Sequence, residues 1–404
     1  MLLILITAFL DILGMAIFLP VLPTIIDSFG MGSSWTGYTQ AIYALGVFTG
    51  GLFFGKLSDT YGRKKMLSYT SIINLASYLI MLVSIWKLNI VDDAIAMGNS
   101  EWVWISFSHI SNILQGFTPV FGLFLVSRFV WGLWGAWFGV IQAYISDISI
   151  PSEKAKRMGF MGAAFGFAFL LWPAIGGILA KFTSIPNIII LCSIIIFIHV
   201  LSLWMILKEP VKHTEQLDIH LIDFHFSKTV IILLVLSFWS TLWFSAIQSM
   251  SSQFYHDRFG FSPTQIGYTM AMVWCIAIIY QWWLVKYVRK IWNETQMIYF
   301  ALGILTIGFV GFSYNMSPYW LFFWIALFPL GMWSFQPSVM SLISNKAGRE
   351  VGKVMWYNTS IQSIWQIVWP ITAWLLYTPG SNLPFLLSSW IFFLLLLISL
   401  FWLR

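Results

Sequence analysis

Apolar runs long enough to cross a bilayer as helices recur along almost the whole chain. They lie at roughly 1–26, 36–57, 66–86, 118–146, 157–180, 187–207, 229–250, 264–285, 295–314, 317–343, 351–376 and 384–402. About 20 residues at 1.5 Å each cover a hydrocarbon core of about 30 Å. Such runs leave few choices of fold. Hydrophobic residues make up 59% of the 404, aromatics 19%, charged residues only 9%, and the mean hydropathy is +0.83. A soluble domain of this size has no way to hide so much apolar surface, so its solvent is lipid. The expectation is an all-α membrane protein of twelve transmembrane helices.

The charges support this. A net charge of +6 and a pI near 9.2 raise the question of nucleic acid, but the basic residues stand in short loops between apolar runs. No nucleic-acid partner is expected; membrane proteins carry positive charge in this way. Of the 21 Lys and Arg, 17 fall in the loops after spans 2, 4, 6, 8 and 10 and at the C-terminus. The opposite loops hold only Lys87, Lys181 and Arg258. The positive-inside rule then puts both termini in the cytoplasm. Cys192 and Cys275 sit in different apolar runs, which reads as buried packing and implies no disulfide, metal or other cofactor. The first run is span-length and lacks a basic leader, so no cleavable signal peptide is expected.

The two halves repeat each other. Residues 27–41, "DSFGMGSSWTGYTQA", moved by 230 fall on "DRFGFSPTQIGYTMA", with identities at Asp27, Phe29, Gly30, Gly37, Tyr38, Thr39 and Ala41. Chance alone gives about one. Farther along the offset is 197, where Glu153, Lys156, Trp172 and Pro173 match Glu350, Lys353, Trp369 and Pro370. The first half thus carries 33 extra residues, in a long loop on the outer face between spans 3 and 4. The expected organisation is an N-terminal six-helix bundle over 1–207, a polar cytoplasmic linker over 208–228 and a C-terminal six-helix bundle over 229–404. Two parallel six-span halves mark a transporter that works by rocking one bundle against the other.

The loop between spans 2 and 3, "GKLSDTYGRKK", concentrates charge in an otherwise apolar chain. It resembles the loop 2–3 motif of the major facilitator superfamily, G-x-L-a-D-r-x-G-r-k, matching at Gly55, Leu57, Asp59, Gly62, Arg63 and Lys64, with Thr60 in place of the usual basic residue. The resemblance implies that Asp59 stands near the N-terminus of span 11 and that the loop latches the two bundles on the cytoplasmic side. A carboxylate at a helix N-terminus contributes about 0.3–1 kcal/mol, and Gly62 permits a tight turn. "DILGMAIFLPVLP" is similar to span 1 of the drug/proton antiporters, the tetracycline exporters in particular. "SRFVWGLWGAWFG" resembles the span 4 motif built around a membrane-embedded arginine, here Arg128. "GFAFLLWPAIGG" resembles the span 5 antiporter motif, with Gly166, Pro173, Gly176 and Gly177 in place and Trp172 where that motif has glycine. "AYISDISIPSEKAKRMGFMGAAFGF" is similar to the tetracycline exporters almost throughout. In the second half the loop motif has decayed to "VKYVRKIWNET".

Away from the helix ends, Asp11 and Arg128 are the clear ionised residues. Each costs about 2.5–3.5 kcal/mol at mid-span on insertion scales, which favours a functional role over the alternative of a structural ion pair fixing spans 1 and 4. Both lie roughly 15 Å from their respective faces, so the expectation is a pair at one depth, coupling protons at the central cavity. Gly132, Gly135 and Gly139 share the Arg128 face and permit close packing. His199 reads as a hydrogen-bonded packing residue in span 6, and Asp147 as part of the latch region. Trp131, Trp243 and Trp333, with Gln248 and Gln336, would together give an aromatic, largely uncharged substrate site in spans that line the cavity of this family, although each taken alone reads as packing. The expected function is secondary active transport of a small lipophilic or cationic compound by alternating access, as proton-coupled efflux by a monomer in the cytoplasmic membrane. Tetracycline itself is disfavoured, because the second half has no mid-span carboxylate. Proton-coupled nutrient uptake is the second transporter reading. A multi-pass membrane enzyme would need clustered catalytic groups, and His213, His220 and His225 are scattered. A non-transporting sensor would be expected to lose Asp11 or the latch, and both are present.

Overall fold

The computed structural model describes the chain apart from residues 33, 97–118, 136, 150, 211–227, 315–316, 348–353, 355–357, 359–375, 378–381 and 403–404. Some helical side chains also lie outside the description, those of Asp59, Trp243 and Gln248 among them. Among the described residues every regular element is a helix. Among the described residues, eight helical segments are long and apolar enough to cross a membrane, and a bent pair at the N-terminus makes a ninth if it is one span. The run expected over 351–376 lies almost entirely outside the described residues.

Two compact units emerge, Met1–His213 with Ser262–Gly267, and Thr214–Phe261 with Tyr268–Arg404. The first begins with α1 (Leu2–Phe18) and α2 (Leu22–Ser28), which meet at 49°. Proline causes the break. Pro20 has no N–H to continue the ladder, and Pro23 falls in the first turn of α2, where a missing donor is harmless. Next come α3 (Ser34–Tyr61), α4 (Arg63–Ala96), α5 (Pro119–Trp134), α6 (Trp137–Asp147), α7 (Pro151–Phe182) and α8 (Ile185–Ile206). Helix α1 packs on α7 and α8, α3 on α5, and α4 on both α5 and α8.

Glycines set how close α3 and α5 come. A Cβ on Gly132 would stand 2.1 Å from the Tyr43 carbonyl oxygen, and one on Gly46 would stand 2.3 Å from that of Phe129. The backbones touch there, as small residues in membrane helices allow. Of the three glycines expected on this face, Gly132 and Gly135 meet α3, whereas Gly139 has open space around it.

The second unit holds α9 (Lys228–Phe259), α10 (Pro263–Ile279), a π-helical turn (Tyr280–Leu284), α11 (Val285–Ile291), α12 (Glu294–Tyr314), α13 (Pro318–Ala347) and α14 (Leu383–Trp402). The beginning of α10 belongs with the first unit, where Thr264 Oγ1 donates to the Gly177 carbonyl at 2.6 Å. The second unit's core is aromatic. Phe254 lies 4.9 Å from Phe312 and 4.8 Å from Phe385, and Phe309 lies 4.7 Å from Phe328. The π turn carries Tyr280 inward, where its hydroxyl bonds that of Ser334 on α13.

The internal repeat has a structural counterpart. Gly30 and Gly260, 230 residues apart, both take left-handed backbone, with φ of 68° and 63°. Each ends a helix, the position at which glycine escapes the Cβ penalty. Cys192 is buried as expected, but Cys275 is exposed on α10. With lipid as the solvent, an outward thiol is tolerated as a small, weakly polar side chain.

Candidate functional site

The polar core of the first unit is built around Asp11 and Arg128. Asp11 lies on α1 at 0% exposure and Arg128 on α5 at 3%. The sequence predicts that they pair, but no ion pair within 4 Å joins them. Arg128 turns toward α3, because the glycine contact draws that helix against α5. Its Nη2 donates to Gln40 Oε1 at 3.2 Å. The guanidinium lies 4.4 Å from the centroid of the Trp131 ring and 5.3 Å from that of Tyr43. Aromatic faces attract a cation, more so where water is absent.

This placement makes Trp131 a packing residue, the reading its position alone suggested, rather than part of a substrate site. At 1% exposure its ring is enclosed by Phe18, Tyr43, Tyr78 and Trp134, rather than open to a substrate. Of the other aromatic candidates, Trp333 is half-buried with its ring 6.1 Å from Trp274 in a T-shaped contact. Gln336, also half-buried, accepts from Ser240 Oγ at 3.5 Å. The side chains of Trp243 and Gln248 lie outside the description.

Asp11 has a neighbour that its sequence position does not reveal. His199 Nε2 on α8 stands 3.6 Å from Asp11 Oδ1, and both side chains are fully buried. Among the described residues neither carboxylate oxygen and neither ring nitrogen has a hydrogen bond of ordinary geometry. The indole N–H of Trp134 approaches the carboxylate but is itself without a bond of ordinary geometry. Buried polar atoms of this kind cost about 1–3 kcal/mol each when left unpaired, and the exceptions call for a functional account.

At the far end of the same unit, the charged loop is held by its own surroundings. Gly62 takes φ 103° between α3 and α4, so the glycine expected for a tight turn serves as one. Arg63 Nε bonds Asp147 Oδ2 at 3.0 Å, and its Nη1 donates to Ser58. Asp147 is thus part of the loop's charge cluster, as the sequence suggests. Lys64 Nζ donates to the Trp204 carbonyl at 3.0 Å. Glu209 accepts from the backbone N–H groups of Arg63 and Lys64, a carboxylate seated at the positive end of α4. A Cβ on Gly62 would stand 2.7 Å from that carboxylate. The side chain of Asp59 and the start of the expected span 11 lie outside the description, as does anything at Gly55 beyond its place in α3.

The span 5 motif falls in α7. Gly166 stands about two turns before Pro173, and a Cβ on Gly176 would lie 2.3 Å from the Ile17 carbonyl oxygen of α1. Gly177 meets Pro263, at 2.5 Å from its carbonyl oxygen by the same measure. Trp172, which replaces a glycine of the motif, does not hold the helices apart. Its indole N–H donates to the Phe9 carbonyl at 2.9 Å, and the two rings lie 4.8 Å apart. Among the described residues no group of His, Cys, Asp and Glu is arranged to hold a metal.

Comparison with known proteins places this architecture. Residues 4–370 match the family model described as Major Facilitator Superfamily. Multidrug resistance protein 2 of Bacillus subtilis (strain 168) is 26% identical over 408 residues, covering 98% of this chain and 92% of that protein. Quinolone resistance protein NorA of Staphylococcus aureus (strain COL) is 23% identical over 388 residues, covering 93% and 89%. Among solved structures, a bacterial homologue of the iron transporter ferroportin in its inward-facing state superposes with a TM-score of 0.73 at 14% identity, covering 99% of this chain and 97% of that one. The human organic anion transporter MFSD10 (TETRAN) gives 0.68 at 17%, covering 98% of each. The shared fold, and a family match that spans most of the sequence, identify the chain as a member of the Major Facilitator Superfamily.

Proposed function

We propose that this transporter exports a small lipophilic or cationic compound in exchange for protons, by alternating access, and that Asp11 carries the proton. The observation that bears most weight is the complete burial of Asp11 in the first span with, among the described residues, no fixed cation within ion-pair distance. A carboxylate there is costly while charged and cheap while protonated, so taking up and losing a proton changes its fit to the membrane interior. A permanent ion pair would have removed that sensitivity. The names of the relatives, a multidrug resistance protein and a quinolone resistance protein, support efflux over uptake and a drug-like cargo. The test uses inverted vesicles that acidify their lumen, a pH-sensitive dye and a panel of lipophilic cations. Compounds that are substrates discharge the gradient in vesicles with the protein and not in vesicles without it. A panel that moves no protons, while one of its members is still accumulated, would replace the proton by another driving force.

The full architecture in this reading is twelve spans in two bundles, divided at the 208–228 linker, with both termini in the cytoplasm. The distribution of Lys and Arg supports the orientation. A cysteine introduced at Gly98, in a background without Cys192 and Cys275, should react with an impermeant maleimide added outside intact cells. One placed in the linker should react only after permeabilisation. Reversal of the two results would invert the topology.

A further inference from the structure

We infer that His199 is the proton-sharing partner of Asp11, so that the two side chains hold one proton between them as a neutral pair. The inference builds on the proposed role of Asp11 and adds a second residue, on a different helix, to the proton site. It starts from the geometry. Nε2 of His199 and Oδ1 of Asp11 are 3.6 Å apart, both residues are wholly buried, and among the described residues neither the carboxylate oxygens nor the ring nitrogens have a hydrogen bond of ordinary geometry. An approach of about half an ångström makes this a hydrogen bond.

Two arrangements leave the pair without net charge. In one, the proton rests on Oδ1 and a neutral imidazole accepts from it. In the other, the proton has moved to Nε2, leaving a carboxylate beside an imidazolium. The same proton is present in both, so the transfer consumes nothing and alters only where the charge lies. An isolated carboxylate or an isolated imidazolium at this depth would be strongly disfavoured. Pairing lets Asp11 become ionised without exposing an uncompensated charge to the apolar interior. Loss of the shared proton to an aqueous path, or gain of a second, then charges the site and destabilises the sealed state.

The surrounding helices offer no better partner. Arg128 on α5 donates from Nη2 to Gln40 and faces the rings of Trp131 and Tyr43, and although its buried Nε has no bond of ordinary geometry, no ion pair within 4 Å joins it to Asp11. Tyr78 on α4 is near enough to interact electrostatically with both Asp11 and Arg128, and also with Cys192, which precedes His199 on α8 by about two turns. Helix α7 packs along α1, but its described ionisable residues, Glu153, Arg157 and Lys181, lie near its ends. Trp134 on α5 can donate to the carboxylate but cannot take its proton.

The experiment follows the imidazole nitrogens by nuclear magnetic resonance in the purified full-length protein, with 15N-labelled histidine. The chain has six histidines, and the signal of His199 is the one lost in His199→Gln. Asp11→Asn should displace the titration of that signal by about one pH unit or more, because two groups sharing a proton titrate as a pair. A His199 signal that titrates identically in both proteins overturns the inference. A second measurement covers failure of Asp11→Asn to fold. The infrared band of the protonated carboxyl should shift in His199→Gln, and an unshifted band counts against the pair. Neither readout needs transport. Coupled titration in a protein whose Asp11→Asn variant still pumps uphill would leave the pair standing and remove Asp11 from the transport cycle. An uncoupled His199, in a protein whose Asp11→Asn variant cannot pump, would do the reverse.

Discussion

Vesicles carrying Asp11→Asn should accumulate no more compound under a pH gradient than they do without one, while exchange of labelled for unlabelled compound continues. The amide has almost the shape of the carboxyl group and cannot ionise, so it fixes the site in the likeness of its protonated state. Asp11 is buried at 0% exposure with, among the described residues, no fixed positive charge within ion-pair distance. Its replacement therefore strands no buried cation, which is the usual reason that removing one member of an ion pair costs about 3–5 kcal/mol. The variant should fold and insert normally, and a melting curve close to that of the native protein checks this. Binding and downhill exchange need no change of protonation at this site, whereas uphill movement does. Gradient-driven accumulation that survives in Asp11→Asn would place the proton site elsewhere. The contrast with Arg128 is instructive. Its charge is held by Gln40 and two aromatic rings, so its loss should disturb the packing of α3 on α5 as well as any transport step.

The membrane class of the fold was legible because an apolar run of about 20 residues suits a membrane-spanning helix and little else. The orientation of each helix about its own axis was not. Helix α8, "IPNIIILCSIIIFIHVLSLWMI", is so apolar that it shows no amphipathic face, and its few polar residues, His199 among them, do not tell which neighbour they meet. The structure buries Ile188, Cys192, Ile196, His199 and Leu203, one stripe at helical spacing, and this sets His199 against Asp11. Depth could be counted from the span ends, and it put Asp11 and Arg128 at one level. Azimuth could not, and on that the expected ion pair depended. Aromatic residues had the same ambiguity. Trp131 stands mid-span as predicted but turns into the core, where its face meets the guanidinium. The left-handed Gly30 and Gly260 were readable only as members of a repeat, and the π turn at Tyr280–Leu284 left no signal in the sequence.

Glycine spacing on α5 and α6 leads to a sharper separation. Gly132 and Gly139 are seven residues apart, which on an unbroken helix would place them on one face. Gly135 N–H bonds the Gly132 carbonyl at 2.8 Å, a turn that follows the end of α5, and α6 is described from Trp137. The two glycines meet different surroundings. A methyl group on Gly132 would lie 2.1 Å from the Tyr43 carbonyl oxygen and 2.7 Å from the Gly46 Cα, atoms of the α3 backbone that no rotamer change can move. Around Gly139 there is nothing within 4 Å. Gly132→Ala must therefore push α3 from α5, at a cost of about 1–3 kcal/mol or more for overpacking. It should also pull Gln40 and Tyr43 away from Arg128, uncovering that charge in the apolar interior. The expected result is a clear fall in melting temperature and a loss of transport together. Gly46→Ala, on the other side of the same contact, should behave in the same way. Gly139→Ala should leave both properties near their native values, and its alanine even favours helix by about 1 kcal/mol. Melting curves of the three purified variants decide the matter, and equal destabilisation at Gly132 and Gly139 would contradict the close approach of α3 and α5.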